Sequence, residues 1–223
     1  MNKPKYIVDP IFPAGRVHLI GASTAVDPQR LILPWLSQSN RDSTFLGYPS
    51  RPFKHCYVAL EEIQGSLEEK LEKLGFSDTI RAVAIDQLRP LTVEAIAQLI
   101  PEDTEVLVIG TIAVLVEDNI ESDDLVSTLM YKLQMVASFR NLTIIGVTEA
   151  TEDYSGRERI AGSALWTNGV GTVVTLDSGS RPDNVTATIK LRNAEPEVVE
   201  ITPTLSIHAI EDYQRRWRGR VPH

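Results

Sequence analysis

Residues 16–28 have the sequence Arg-Val-His-Leu-Ile-Gly-Ala-Ser-Thr-Ala-Val-Asp-Pro, and this stretch decides the fold class. Its apolar first half predicts a short buried strand that ends in a turn at Gly21. Asp27 is a good N-cap residue, and Pro28 is favoured at the first position of a helix, so a helix over 28–38 is expected. The stretch is therefore a strand–turn–helix unit, which is the building block of α/β domains.

The same alternation continues outward along the chain. Further apolar runs predict strands at 54–60, 80–85, 105–110 and 141–148. Helices are predicted between these strands, over 66–75, over 92–100 and from Ser122 onward. The first of them should open with the capping box of Ser66 and Glu69 and stop at Gly75. The alternation predicts an α/β fold with a mainly parallel central sheet and helices on both faces.

The helix that starts after Ser122 has apolar residues at close to helical spacing. They are Leu125, Val126, Leu129, Met130, Leu133, Val136 and Phe139. We expect this apolar set to face the sheet. A second helix-related expectation concerns Pro34, which should kink or shorten the helix over 28–38.

The pattern changes after residue 170. Segments with stronger apolar–polar alternation, separated by turn clusters, lie at 171–176, 184–191, 197–202 and 205–210. They predict a C-terminal antiparallel β extension at the edge of the sheet. Since the chain has no internal repeat, we expect a single domain over 1–211, followed by a tail over 212–223.

The charge of the chain is unevenly distributed. The 223 residues have a formal net charge of −8, and removing the four C-terminal arginines leaves −12 on the rest. The single cysteine, Cys56, excludes an intramolecular disulfide, and the four scattered histidines form no metal-binding motif. No apolar run is long enough to span a bilayer, so we expect no membrane contact and a cytoplasmic location.

Several stretches together resemble the RecA-like P-loop ATPases, and within them the plasmid and phage branch related to hexameric replicative helicases. They lie at 7–15, 57–61, 159–163 and 172–176, in the order and spacing of that branch, and the resemblance covers roughly residues 7–192. It implies a RecA-like fold, assembly into rings or filaments, and a plasmid or phage origin. It also implies that Glu61 stands where these enzymes orient the attacking water.

The nucleotide-binding motifs of these ATPases are altered in this chain. A phosphate-binding loop needs Gly-x-x-x-x-Gly-Lys-Ser/Thr, whereas here Gly21 is followed by Val26, Asp27 and Pro28 at the last three motif positions. The strand over 105–110 ends in Gly110 where an aspartate for the magnesium site should be. We therefore expect a degenerate site without ATP or Mg²⁺, no metal, and only a vestigial role for Glu61.

Two interpretations of the loop stay open. On a degenerate RecA-like site, Gly21, Ser23 and Thr24 are the candidates for contact with a phosphate or another anion. Alternatively, the loop is an ordinary connection in an unrelated α/β protein, and its hydroxyl residues are simply turn residues. Glu149, which follows Thr148 where these ATPases place a polar phosphate sensor, is unsuited to that task.

Arginines supply the candidate contacts to nucleic acid or to a neighbouring subunit. Arg157 and Arg159 lie in the segment that faces nucleic acid or the next subunit in RecA-like proteins. The tail adds the candidates Arg215, Arg216, Trp217, Arg218 and Arg220. Guanidinium groups neutralise phosphates and Trp217 can stack on a base, so single-stranded DNA is one candidate partner. Docking on the acidic body of a neighbour, or no role at all, are the alternatives.

The sequence therefore favours a non-hydrolysing accessory or structural factor in DNA replication or recombination. It should form homo-oligomers or co-assemble with an active homologue. Two other hypotheses remain: an ATP-dependent DNA-processing enzyme with an unorthodox site, and a host-factor-binding protein that reuses the fold. The sequence leaves enzymatic activity undecided.

Overall fold

The computed structural model describes residues 5–60, 62–85, 92–116, 119–152, 158–181, 183–192 and 194–203. The strands are β1 (Tyr6–Val8), β2 (Phe12–Pro13), β3 (Val17–Ala22), β4 (Ser43–Phe45), β5 (Tyr48–Ser50), β6 (His55–Ala59), β7 (Ala82–Ala84), β8 (Val106–Gly110), β9 (Thr143–Glu152), β10 (Glu158–Ile160), β11 (Thr172–Ser178), β12 (Val185–Leu191) and β13 (Glu197–Ile201). The helices are α1 (Gln29–Ser37), α2 (Gln64–Lys73), α3 (Val93–Leu99) and α4 (Asp123–Arg140). Short 3-10 helices cover Ile112–Val116 and Ala164–Thr167.

The main sheet has the strand order β13-β12-β11-β3-β9-β8-β6-β7, and β10 pairs with β9 beside this path. From β11 to β7 every neighbouring pair is parallel. The predicted strands at 16–21 and 105–110 thus belong to one parallel sheet, with β9 between them. This confirms the predicted α/β fold class.

Helices cover both faces of the sheet, as the alternation predicted. Neighbouring residues of one strand point to opposite faces, so Tyr57 joins the core cluster that contains α1 and α2. Cys56 and Val58 join the second cluster, which contains α3 and α4. The aliphatic character of the central strands follows from this double coverage.

The C-terminal extension is antiparallel, as predicted. β11 runs parallel to β3, and β12 and β13 are then added in antiparallel order at the edge. β12 alternates: Ala187 and Ile189 are buried in the core, while Thr188 and Lys190 face the other way. The predicted strand at 205–210 and the tail over 212–223 lie outside the described residues.

The sequence analysis missed a second sheet, which has four strands in the order β2-β1-β5-β4. Its strands are two or three residues long, too short for a periodic signal. It is joined to α1 by ring contacts, with centroid distances of 6.3 Å from Phe12 to Trp35 and 4.6 Å from Trp35 to Phe45. Pro34 is buried inside α1, which nonetheless stays one nine-residue helix.

The helix caps predicted at Ser66, Gly75 and Ser122 are not all found in the structure. The capping box at Ser66 is wrong, because α2 begins at Gln64 and Ser66 is already buried inside it. The predicted stop at Gly75 is confirmed: the N–H groups of Gly75 and Phe76 donate to the carbonyls of Glu72 and Leu71, as in a Schellman motif. Ser122 is the N-cap of α4, where its hydroxyl accepts the N–H of Leu125.

The predicted buried face of α4 is partly wrong. Val126, Leu129, Met130 and Leu133 are buried, but Leu125 is half exposed and Phe139 is 92% exposed. At about 100° per residue, these two lie roughly a quarter turn or more away from the buried set. Apolar spacing alone did not show which side of a broad apolar arc meets the sheet. No helix among the described residues is long and apolar enough to cross a membrane.

Candidate functional site

The candidate site is the loop over 23–28, which leaves the carboxyl end of β3 and leads into α1. β3 lies between β9 and β11, with Gly21 paired to Thr148 on one side and to Thr175 on the other. Ligands of open α/β sheets usually bind at such carboxyl ends. The topology therefore places the loop where the sequence analysis expected a binding site.

Gly21 has a packing role in this structure. A Cβ atom at this position would lie 2.6 Å from Cδ1 of Ile160 and 3.3 Å from Cβ of Ala150. The hairpin of β9 and β10 thus approaches the β3 backbone too closely for a side chain. The space above Gly21 is filled by Ile160.

The loop satisfies several of its own hydrogen-bond donors. The N–H groups of Ser23 and Val26 donate to the carbonyls of Leu176 and Ser23, at 2.9 and 3.0 Å. The Ser23 hydroxyl donates to Oδ1 of Asp177 at 2.8 Å. Thr24 is exposed. Two of the three predicted anion contacts, Gly21 and Ser23, are therefore engaged within the protein.

Asp27 occupies the start of α1. Its Oδ1 accepts the N–H of Gln29 at 2.9 Å. The predicted N-cap at Asp27 is nevertheless wrong, because the N-cap of α1 is Pro28, without a side-chain cap, and the helix begins at Gln29, one residue later than expected. Burial raises the pKa of this carboxyl above its ordinary value, while the Gln29 hydrogen bond and the charges of Lys70 and Arg30 act in the opposite direction. The helix N-terminus, the usual place for an anion, thus already holds a carboxylate.

Two buried cations lie close enough to affect Asp27. Arg30 is 3% exposed and donates to the carbonyl of Asp183 at 3.2 Å. Lys70, on α2, is 5% exposed and donates to Oε1 of Glu62 at 2.7 Å. Both cations are engaged within the protein. The sequence analysis missed both, because neither stands at a motif position and Lys70 comes from another helix.

A magnesium-bound triphosphate does not fit this set of residues. Its phosphates need free backbone N–H groups and an ammonium. In this loop the N–H groups of Ser23 and Val26 are already bonded, Pro28 has no N–H, and Asp27 supplies a carboxylate instead of an ammonium. At the end of β8, Gly110 offers no carboxylate for a metal. Among the described residues, no group of three or more His, Cys, Asp or Glu is placed to hold a metal ion.

Of the remaining predicted site residues, the structure describes only Arg159. The residues that lie outside the described part of the chain are Glu61, Arg157, Arg215, Arg216, Trp217, Arg218 and Arg220. Arg159 is exposed on β10. Thr148 is buried in β9, and Glu149 is exposed next to it. The structure thus brings together Gly21, Ser23 and Thr24, and it places Arg159 at a neighbouring groove that Ile160 and Asp177 also line.

That groove has a volume of about 1180 Å³ and runs along the outer face of β11 and β12. Its lining includes Arg159, Lys190 and Arg192. The sequence analysis missed Lys190 and Arg192. The apolar–polar alternation of β12 was the signal for Lys190, because it turns this side chain away from the core.

The architecture is that of RecA-like proteins. A solved structure titled "Crystal structure of the RadB recombinase" matches with a TM-score of 0.57 and 15% sequence identity, over 84% of this chain and 86% of that one. At this identity the match establishes the fold alone. No protein-family model matches the chain, and no curated protein matches it.

Proposed function

We propose that this RecA-fold chain does not hydrolyse ATP and acts as an accessory or structural factor in DNA replication or recombination. The observation that carries the proposal is the Asp27 carboxylate, bonded to the Gln29 N–H where a phosphate-binding loop has its lysine. In a partly desolvated site, replacing the lysine cation by an anion weakens the binding free energy of a polyphosphate by an amount on the order of several kcal/mol. The site is on this view degenerate, binding neither ATP nor Mg²⁺.

The proposed assembly, location and partner rest on the resemblance of the sequence to the plasmid and phage helicase branch. It supports self-assembly into a ring or filament, or co-assembly with an active homologue, in the cytoplasm. Single-stranded DNA is the proposed nucleic-acid partner. The RecA-like fold, shared with a structure titled as a recombinase, is compatible with this role.

Calorimetric titration with Mg-ATP and a steady-state phosphate-release assay test the proposal. We expect no saturable heat and no turnover from the full chain. Saturable, magnesium-dependent turnover that Glu61→Gln abolishes would instead establish an ATPase with an unorthodox site. Glu102→Gln is the matched control, since it removes an exposed glutamate that precedes the amino end of β8, away from the carboxyl ends of the strands.

Native mass spectrometry with and without single-stranded DNA tests the proposed self-assembly and the proposed DNA binding. We expect assemblies larger than a monomer, and added mass when the DNA is present. A monomer that takes up no DNA under any salt condition would contradict the accessory role in DNA metabolism.

A further inference from the structure

Three basic side chains from two parts of the chain line one groove. Arg159 lies on β10, Lys190 lies near the end of β12, and Arg192 follows that strand. All three are exposed, and within the described ranges none has a carboxylate oxygen within 4.0 Å. In the described part of the chain, seven other Lys and Arg side chains do have such a partner. The groove therefore presents three cations that no described carboxylate pairs with directly.

The floor of the groove is polar because the strands beneath it alternate. Thr175, Thr186 and Thr188 line it, while the residues between them pack into the core on the opposite side of the sheet. Two carboxylates also line it, Asp177 and Glu195. Asp177 accepts hydrogen bonds from the hydroxyls of Ser23 and Ser178, at 2.8 and 3.3 Å.

The charge balance sets the groove apart from the rest of the chain. Its three cations outnumber its two carboxylates, on a chain with a formal net charge of −8. An acidic protein repels a polyanion over most of its surface, so such a groove is where a polyanion approaches. Threonine hydroxyls and exposed cations are donors suited to phosphate oxygens.

The size of the groove favours an extended ligand. Its volume of about 1180 Å³ exceeds the range of about 300–1000 Å³ that is usual for small-molecule pockets. No aromatic side chain is among the residues described as lining it, so none of these residues offers a ring on which a base could stack. The described contacts therefore favour a ligand that is held through its backbone.

We propose that this groove binds single-stranded nucleic acid through its phosphates, with Arg159, Lys190 and Arg192 as the contacts. The inference rests on the proposed function and adds a site to it. Binding through phosphates alone is independent of base identity and falls steeply with salt. Each neutralised phosphate of a single strand contributes about 0.7 to the slope of log affinity against log salt.

The test is fluorescence anisotropy of the full chain with labelled oligothymidine, between about 50 and 200 mM salt. The variant is the triple substitution Arg159→Gln, Lys190→Gln and Arg192→Gln. A control variant with the same charge change is Arg41→Gln, Lys73→Gln and Arg81→Gln, which are residues outside the groove. Circular dichroism and thermal unfolding verify that both variants are folded.

We expect the groove variant to lower affinity at least tenfold at low salt and to reduce the slope by about 2, since three phosphate contacts are lost. The control variant should stay within about threefold of the parent chain. An abasic strand of equal length should bind the parent chain as well as oligothymidine, because no described residue of the groove lining is aromatic.

Each other result overturns a defined part of the proposal. DNA binding that the groove variant leaves unchanged refutes the groove and leaves the proposed function standing, with the tail as the remaining site. A chain that binds no DNA at all refutes both. Loss of affinity for the abasic strand refutes backbone-only binding, and tighter binding of duplex refutes the single-strand assignment.

Discussion

His18 and His55 are buried in strands β3 and β6, and hydrogen bonds hold each ring in place. Nε2 of His18 lies 2.9 Å from the carbonyl of Pro13. The Arg81 N–H donates to Nε2 of His55, which leaves Nδ1 of that ring to donate to the Ser39 hydroxyl, 2.8 Å away. Burial lowers the pKa of each histidine from 6.5 to about 4. Both rings are therefore neutral in the folded protein at neutral pH.

These two residues should make the protein sensitive to mild acid. Between pH 6.5 and about 4 the unfolded chain binds protons that the folded chain does not, so stability is complete above pH 6.5 and falls as pH decreases. At pH 5.5 each histidine should cost roughly 1–1.5 kcal/mol of unfolding free energy relative to pH 7.5. Urea unfolding at several pH values measures this, and His55→Gln should remove about half of the loss. Equal stability at pH 7.5 and 5.5 would contradict the assignment.

At the scale of an element, helix α2 contains two glycines with opposite expected effects. Gly75 follows the helix with φ of +74° in its Schellman motif, whereas Gly65 lies inside the first turn without a positive φ. A Cβ atom added at either position would have no other atom within 4 Å, so packing does not contribute. The difference between the two glycines is thus one of backbone conformation alone.

We expect Gly75→Ala to lower the free energy of unfolding by about 1 kcal/mol, because a Cβ atom is strained in the left-handed region. Gly65→Ala should raise it by up to about 1 kcal/mol, because alanine favours helix and restricts the unfolded chain. Chemical denaturation of the two single variants checks both signs. Destabilisation by Gly65→Ala would show that α2 does not begin at Gln64.

At the scale of the whole molecule, the basic tail opposes an acidic body. If Arg215, Arg216, Arg218 and Arg220 contact DNA phosphates, replacing all four by Ala should lower the salt slope by up to about 3. Trp217→Ala should weaken binding by roughly 1–3 kcal/mol without changing the slope, as expected for a stacked ring. Filter binding measures both effects. Smaller assemblies in sedimentation, with unchanged DNA affinity, would instead place the tail at a subunit interface.

Local signals in the sequence determined much of the fold. The apolar runs at 105–110 and 141–148 gave buried parallel strands, and Gly75 and Ser122 marked helix ends. These predictions succeeded because each depends on residues a few positions apart. The departure of residues 21–28 from the phosphate-loop motif was also visible in the sequence, since that comparison requires only the residues that follow Gly21. Where the local signal was ambiguous, as at Ser66, the prediction was wrong.

Only the tertiary structure decided which distant residues meet. The placement of β3 between β9 and β11, the four-stranded sheet, and the approach of Lys70 to Asp27 all join segments far apart in the chain. The groove combines Arg159 with Lys190 and Arg192 in the same way. Local periodicity specifies which face of a strand is apolar, but strand order follows from the packing of the whole core. The loop was therefore predictable from the sequence, whereas its charged neighbours and the groove were not.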